Sequence, residues 1–159
     1  MSDAFDENSI ETRIDNYIAT DPLEITMTSL SEIDELSSFN WSDLVSKIKQ
    51  GKYRLMAMGK SPKSFHIVAN HAQETGQKLF NALGISLIIL AIGLAILIDW
   101  WLILIAVLAP YMFKTAKEFY SQAILQGAWH SEKSFSFLFS RGVICLVGHK
   151  GMIFHTLYK

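Results

Sequence analysis

Four side chains of this sequence have the types expected of a transition-metal site: His66, His71, Glu74 and His130. His71 and Glu74 are three residues apart and share one face of a helix. Imidazoles and a carboxylate on facing helices can bind a metal ion. However, His66 and His71 lie about 140° out of phase on a helix, and the set matches no known motif. We therefore predict no metal and no cofactor, and interpret these histidines as exposed or headgroup-level side chains.

The other reactive groups do not form a recognisable catalytic set. Cys145 is the only cysteine, which excludes an intramolecular disulfide and fits a reducing compartment. It lies in an apolar run without a flanking base, so we expect an inert core residue. Phosphate-binding, dinucleotide-binding, CxxC and GxSxG motifs are absent from the sequence. These observations predict a protein that is not an enzyme and has no small-molecule substrate; no family motif can be matched residue by residue.

An apolar stretch from Leu79 to Phe113 contains one residue that is charged at neutral pH, Asp99. A core helix pair in a soluble protein is the alternative, but a domain of 159 residues is too small to cover this apolar surface. As one helix the stretch would reach about 52 Å, beyond the roughly 30 Å of a hydrocarbon core. We therefore predict a membrane hairpin that turns at Asp99, where the carboxylate can reach water.

The two predicted spans are residues 79–98 and 100–113. The first is just long enough to cross, at about 30 Å, whereas the second reaches only about 21 Å as an α-helix. Trp100 and Trp101 favour the headgroup level beside the turn. Pro110 predicts a kink near the far end of the second span. A shallow re-entrant hairpin is the alternative.

Lysines flank the hairpin and set its predicted orientation. Because Lys and Arg favour the cytoplasmic side, both termini are predicted to be cytoplasmic, in a multi-pass protein of the inner or plasma membrane. The acidic N-terminus lacks the pattern of a signal peptide. The same lysines can bind anionic lipid headgroups. The predicted membrane-interface residues are Lys60, Lys63, Lys78, Asp99, Trp100, Trp101, Lys114 and Lys117.

Small residues along the first span predict close helix packing. Ala82 and Ser86, and then Ala91 and Ala95, are each four residues apart. Their partner can be the second helix of the hairpin or a second copy of the chain. A hairpin symmetric about Asp99 places position 68 opposite position 130.

The chain outside the spans divides by charge and pattern. Residues 1–40 carry ten acids and one base, and are predicted to be a flexible acidic arm with short helical patches at 10–18 and 30–39. Residues 41–60 predict a cytoplasmic helix and strand, residues 61–130 the helical hairpin, and residues 131–159 a short helix and a C-terminal β-hairpin. The predicted fold is thus a membrane hairpin, extended into a cytoplasmic antiparallel helix pair, with a small cytoplasmic α/β module.

The function expected from this organisation is that of a non-enzymatic membrane accessory, adaptor or regulatory protein. Its partners would be the lipid bilayer, partner proteins and further copies of itself. Nucleic acid is not expected, since the bases lie at the predicted membrane edge. One alternative is an oligomeric effector that forms a pore or disrupts the bilayer. The other is a membrane-bound metal-dependent enzyme.

Overall fold

The structure, a computed structural model, describes residues 7–20, 27–34, 36–58, 62–148 and 153–154. It is mostly helical, with one small antiparallel sheet. The chain divides into two compact units. The first, which we call the terminal unit, joins Met1–Ala69 to Ala123–Lys159, and the second, the hairpin unit, comprises Asn70–Gln122.

The terminal unit combines helices with a three-stranded sheet of order β1-β2-β3. Neighbouring strands are antiparallel, with Leu55 opposite Leu146 and Leu146 opposite Phe154. Its elements, in chain order, are α1 (Glu7–Thr20), a 3₁₀ turn (Leu30–Glu32), α2 (Trp41–Lys49), β1 (Tyr53–Ala57), α3 (Pro62–Val68), the end of α5 (Ala109–His130), α6 (Glu132–Ser140), β2 (Ile144–Gly148) and β3 (Ile153–Phe154).

Local sequence signals determine several of these elements. The side chain of Asn40 accepts a hydrogen bond from the Ser42 amide at the start of α2, and Gly51 follows the helix with a φ of 74°. This conformation favours glycine, which lacks a Cβ. The predicted helix and strand of this region are confirmed, as is the short helix that contains Ser134–Ser140. The predicted C-terminal strands join the sheet, in which β2 pairs with β1 and β3 pairs with β2; the loop at 149–151 lies outside the described residues.

Helix α6 forms the centre of the terminal unit. All residues from Ser134 to Ser140 are buried, so this helix has no solvent-facing side along that stretch. It packs against α1 and β2. The rings of Phe135 and Phe139 stack at 5.8 Å, and Trp41 approaches Phe135 at 5.5 Å. The apolar side chains of Phe135, Phe137, Leu138 and Phe139 are therefore all covered by other elements.

The structure differs from the flexible arm predicted over residues 1–40. Helix α1 buries Ile10 and Ile14 completely. Later in the same segment Leu30, Ile33 and Leu36 are at most 1% exposed. Spacings of three and four residues place these apolar side chains on one side of the backbone, towards the core. Asp15, Glu32 and Asp34 remain exposed, and Asp15 pairs with Lys133 of α6.

The predicted continuous helix from residue 61 into the first span is interrupted. Helix α3 ends at Val68, and α4 (His71–Leu97) begins after Asn70. Asn70 and Gln73 form a capping box, in which each side chain accepts a hydrogen bond from the backbone amide of the other. This pair satisfies amides that would otherwise have no partner at the helix start. The break is therefore encoded locally.

The hairpin unit contains α4, a 3₁₀ segment (Trp100–Leu108) and the start of α5. Helix α4 and the 3₁₀ segment pack against each other. The second predicted span is therefore not a single α-helix. Pro110 lies in the first turn of α5, where its missing N–H leaves no hydrogen bond unmade. It begins a helix instead of producing the predicted kink near the end of one.

The register expected for Val68 is displaced by three residues. Symmetry about Asp99 would place position 68 opposite 130, whereas a Cβ built at Gly127 would lie 2.6 Å from the Val68 Cβ. Closer to the turn, Phe80 stacks on Phe119 and a Cβ built at Gly84 would meet the Phe113 ring, and both contacts lie within one residue of that symmetry. The displacement is therefore seen beyond the break between α3 and α4, and not beside the turn.

The burial of α1 yields the first prediction. Ile14→Ala should lower the free energy of unfolding by about 2–5 kcal/mol, because it removes a buried side chain and leaves a cavity. Urea unfolding of the full chain in one fixed detergent measures this. The matched control is Ile18→Ala on the same helix. The Ile18 side chain is only half-buried, so its truncation should lower the free energy of unfolding by less. Equal, negligible effects of both substitutions would indicate that α1 is not part of the core.

Candidate functional site

One side of α4 forms a narrow packing seam. Its buried and half-buried positions include a run with alternating spacings of four and three residues. This spacing keeps one stripe of a helix facing an antiparallel partner, as in a coiled coil. The run consists of Gln73, Gln77, Phe80, Gly84, Leu87, Ala91 and Leu94.

The remaining surface of α4 is apolar and uncovered. Among the described residues, α4 is the one helix long and apolar enough to cross a membrane by length and composition, and only 11% of its most apolar stretch is buried. The core helix of a soluble protein shows the opposite, with most of its surface covered. The large exposed side chains, each at least 42% exposed, are Leu79, Leu83, Ile85, Ile89, Leu90, Ile92, Ile96 and Leu97.

Two glycines let the hairpin close tightly. A Cβ built at Gly84 would lie 2.7 Å from the Phe113 ring, and one at Gly76 would lie 3.0 Å from the Phe119 ring. Phe80 stacks on Phe119 at 5.6 Å. Sequence reasoning did not single out this glycine–phenylalanine pairing. Its signal was present in the two glycines, which are eight residues apart and so lie close to one face of a helix.

The predicted helix-packing residues divide between the two surfaces of α4. Ala91 is fully buried and Ala95 is half-buried, whereas Ala82 and Ser86 are exposed. The close approach expected at the small residues is thus made at Gly84, between Ala82 and Ser86. The seam has a width of only one stripe, so two of the four small residues point away from it.

The turn of the hairpin is exposed. Trp100 and Trp101 are 78% and 53% exposed, and Ile98 before them is 71% exposed. Asp99 is also exposed and provides the residue before the 3₁₀ segment. The turn therefore combines a charged group with large apolar side chains, all outside the protein interior.

The predicted interface lysines lie at exposed positions where the structure describes them. Lys78 pairs with Glu74 one turn earlier on α4, at 2.6 Å. Lys114 and Lys117 are exposed on α5, and Lys63 is exposed on α3. Lys60 lies outside the described residues. Long basic side chains at such positions can reach a headgroup layer while their stems cover apolar surface.

The candidate metal ligands are not brought together. Among the described residues, no group of three or more His, Cys, Asp and Glu side chains could hold a metal ion. His66 and His71 are exposed and lie on different helices, and Glu74 pairs with Lys78. His130 ends α5 and is half-buried. The spacing that suggested a site assumed a continuous helix through Asn70, which the structure does not have.

Cys145 is held in a low-reactivity state. It lies on β2 with 1% of its surface exposed. Burial raises the pKa of this thiol above its ordinary value of 9.0, because desolvation penalises the thiolate. The thiolate is the nucleophilic form, so this environment suppresses its reactivity.

Comparison with known proteins gives no family. No protein-family model, curated protein or solved structure matches the chain. The uncovered apolar surface of α4 is therefore the feature from which a function must be inferred.

The glycine contacts yield the second prediction. Gly127→Ala should lower the free energy of unfolding by about 1–3 kcal/mol through overpacking, since the β-branched Val68 cannot move aside. Gly84→Ala should cost less, because the half-exposed Phe113 ring can turn away.

Gly93→Ala is the matched control for this series. A Cβ at Gly93 would meet nothing within 4 Å. Alanine also favours a helix over glycine by about 1 kcal/mol, so this variant should be neutral or stabilising. Thermal unfolding of the three variants in one detergent gives the order of their stabilities. An unchanged melting temperature for Gly127→Ala would contradict the prediction.

Proposed function

We propose that the protein is a non-enzymatic integral membrane protein that acts as an accessory, adaptor or regulatory subunit. Helix α4 and the following 3₁₀ segment form its membrane hairpin. The terminal unit is the module that it presents to partner proteins on the cytoplasmic side. The uncovered apolar surface of α4 is the single observation that carries the proposal.

Solvation is the physical argument for this assignment. Exposed apolar patches beyond a few hundred Å² mark membrane or protein contacts. The exposed side chains of α4 continue on the 3₁₀ segment, where Ile103, Leu104 and Val107 are each at least 49% exposed. Lipid can cover such a surface along its whole length without a specific partner. Backbone groups within helices are already hydrogen-bonded, as a bilayer requires.

The geometry of the return segment supports a full crossing in preference to a re-entrant loop. The 3₁₀ segment with the first turn of α5, through Phe113, reaches about 25 Å instead of about 21 Å. The length of the second span is thus closer to the roughly 30 Å thickness of the hydrocarbon core. Lys78 before the hairpin, and Lys114 and Lys117 after it, support cytoplasmic ends.

The alternatives have less support. An oligomeric pore needs a polar lining, and the exposed side chains of α4 and the 3₁₀ segment are mainly apolar. Ala82 and Ser86 offer a surface for self-association without such a lining. A metal-dependent enzyme has no ligand cluster among the described residues.

The third prediction tests whether the exposed surface of α4 faces lipid or water. Ile89 is 66% exposed near the middle of the apolar stretch. Ile89→Lys would be harmless in water but costs at least about 2.5 kcal/mol at the centre of a bilayer. We expect the carbonate-resistant membrane fraction to fall sharply.

Met56→Lys is the control, since Met56 is 45% exposed on β1 of the terminal unit. This variant should leave the membrane fraction unchanged. If Ile89→Lys remained in the membrane to the same extent as Met56→Lys, the surface of α4 would not face lipid.

The fourth prediction concerns topology. A cysteine introduced by Asp99→Cys should react with an impermeant maleimide added outside sealed cells, because the turn crosses to the far side. A cysteine introduced by Ser42→Cys, at an exposed position of α2, should react only after permeabilisation. The native Cys145 is buried and gives little background.

Labelling of the Asp99→Cys variant only after permeabilisation would favour a re-entrant hairpin. External labelling of the Ser42→Cys variant would contradict cytoplasmic ends.

A further inference from the structure

A groove in the terminal unit lies between α1 and α3. We call it the α1–α3 groove; its volume is about 600 Å³ and its wall is mostly apolar. This volume lies within the range of roughly 300–1,000 Å³ found for small-ligand pockets. The groove is a feature of the terminal unit alone and does not depend on the proposed membrane hairpin.

One face of α1 forms the first wall. Arg13, Asn16, Tyr17 and Thr20 line it, with the spacing of three and four residues that defines a helix face. Two acids of α1, Glu11 and Asp15, lie elsewhere. Glu11 is about 200° around the helix from Arg13, and Asp15 pairs with Lys133. An N-terminal segment that is acidic overall thus presents its one base to the groove.

One face of α3 forms the second wall, through Lys63, His66 and Ile67. Arg13 connects the two helices, since its guanidinium donates hydrogen bonds to the carbonyl oxygens of Ala69 at 3.2 Å and His66 at 3.5 Å. These bonds hold the guanidinium at the C-terminal end of α3. Among the described residues that line the groove, none is acidic.

Two cationic groups lie near the ring of Tyr17, beside the groove. The Arg141 guanidinium stacks over its ring at 4.8 Å and donates to its hydroxyl at 3.1 Å. The Lys63 ammonium lies 5.9 Å from the centre of the same ring. Cations over an aromatic face are held by the negative potential of that face. The groove therefore has an apolar wall with ordered cations and hydroxyl groups along it.

We propose that the α1–α3 groove binds an amphiphile with an anionic group, such as an anionic lipid. Its phosphate or carboxylate would lie against Arg13 and Lys63, and its apolar part along the wall formed by Ile67 and the Tyr17 ring. Charge complementarity and the mixed character of the wall carry this assignment. Arg13 is held in place by the backbone of α3, so binding loses little of its side-chain freedom.

The test uses the full chain in nanodiscs of zwitterionic lipid and calorimetric titration with dihexanoyl phosphatidic acid. We expect binding that dihexanoyl phosphatidylcholine and inorganic phosphate do not reproduce at the same concentrations. Lys63→Gln should weaken the binding by about fivefold, the usual effect of one lost charge near an anionic headgroup. Lys49→Gln, which removes an exposed lysine of α2 outside the groove, should leave it unchanged.

A photoreactive phosphatidic acid provides an independent readout, because the peptides that it labels should come from α1 and α3. Circular dichroism and thermal unfolding verify that the two lysine variants fold equally. Equal affinity of the Lys63→Gln and Lys49→Gln variants would overturn the proposal, as would the absence of binding to the wild-type chain. Inorganic phosphate that competed as well as the lipid would show that the apolar wall contributes nothing, and would overturn it too.

Discussion

Within the described residues of the hairpin unit, the apolar surface of α4 is left largely uncovered. Its seam packs against the returning segment, but most of its large side chains remain outside that contact. The hairpin unit has no further element within the described residues to cover them. In water this surface would drive aggregation, whereas in lipid it is already solvated. The proposed location of the protein, and hence its proposed role, follows from this imbalance.

Local signals were sufficient to predict much of the terminal unit. Asn40 and Gly51 delimit α2, and the alternating pattern after Gly51 predicts β1, which pairs with the strand that contains Cys145. The helical patch predicted at residues 10–18 lies within α1, but the acidic composition of the segment hid the burial of Ile10 and Ile14. Net charge describes the surface of a segment, whereas a few apolar side chains decide whether it folds onto a core. The capping pair Asn70 and Gln73 was also visible in the sequence.

Other features could not be read from the residues. An α-helix and a 3₁₀ helix have nearly the same composition, so the 3₁₀ form of Trp100–Leu108 becomes visible only in the structure. The α1–α3 groove depends on two helices that are far apart in the chain, and its lining residues have no special spacing across them. The candidate metal set assumed one straight helix through Asn70, where the structure has two separate helices.

The composition of the terminal unit has a consequence for synthesis. Its strand β1 pairs with β2, and Tyr17 packs against Phe137 at 5.9 Å, so each early element depends on a late one. A ribosome releases residues 1–69 long before residues 123–159. The pairing of β1 with β2 and the packing of α1 on α6 can therefore form only after the later segments have been synthesised, so the early elements cannot complete their packing as they emerge.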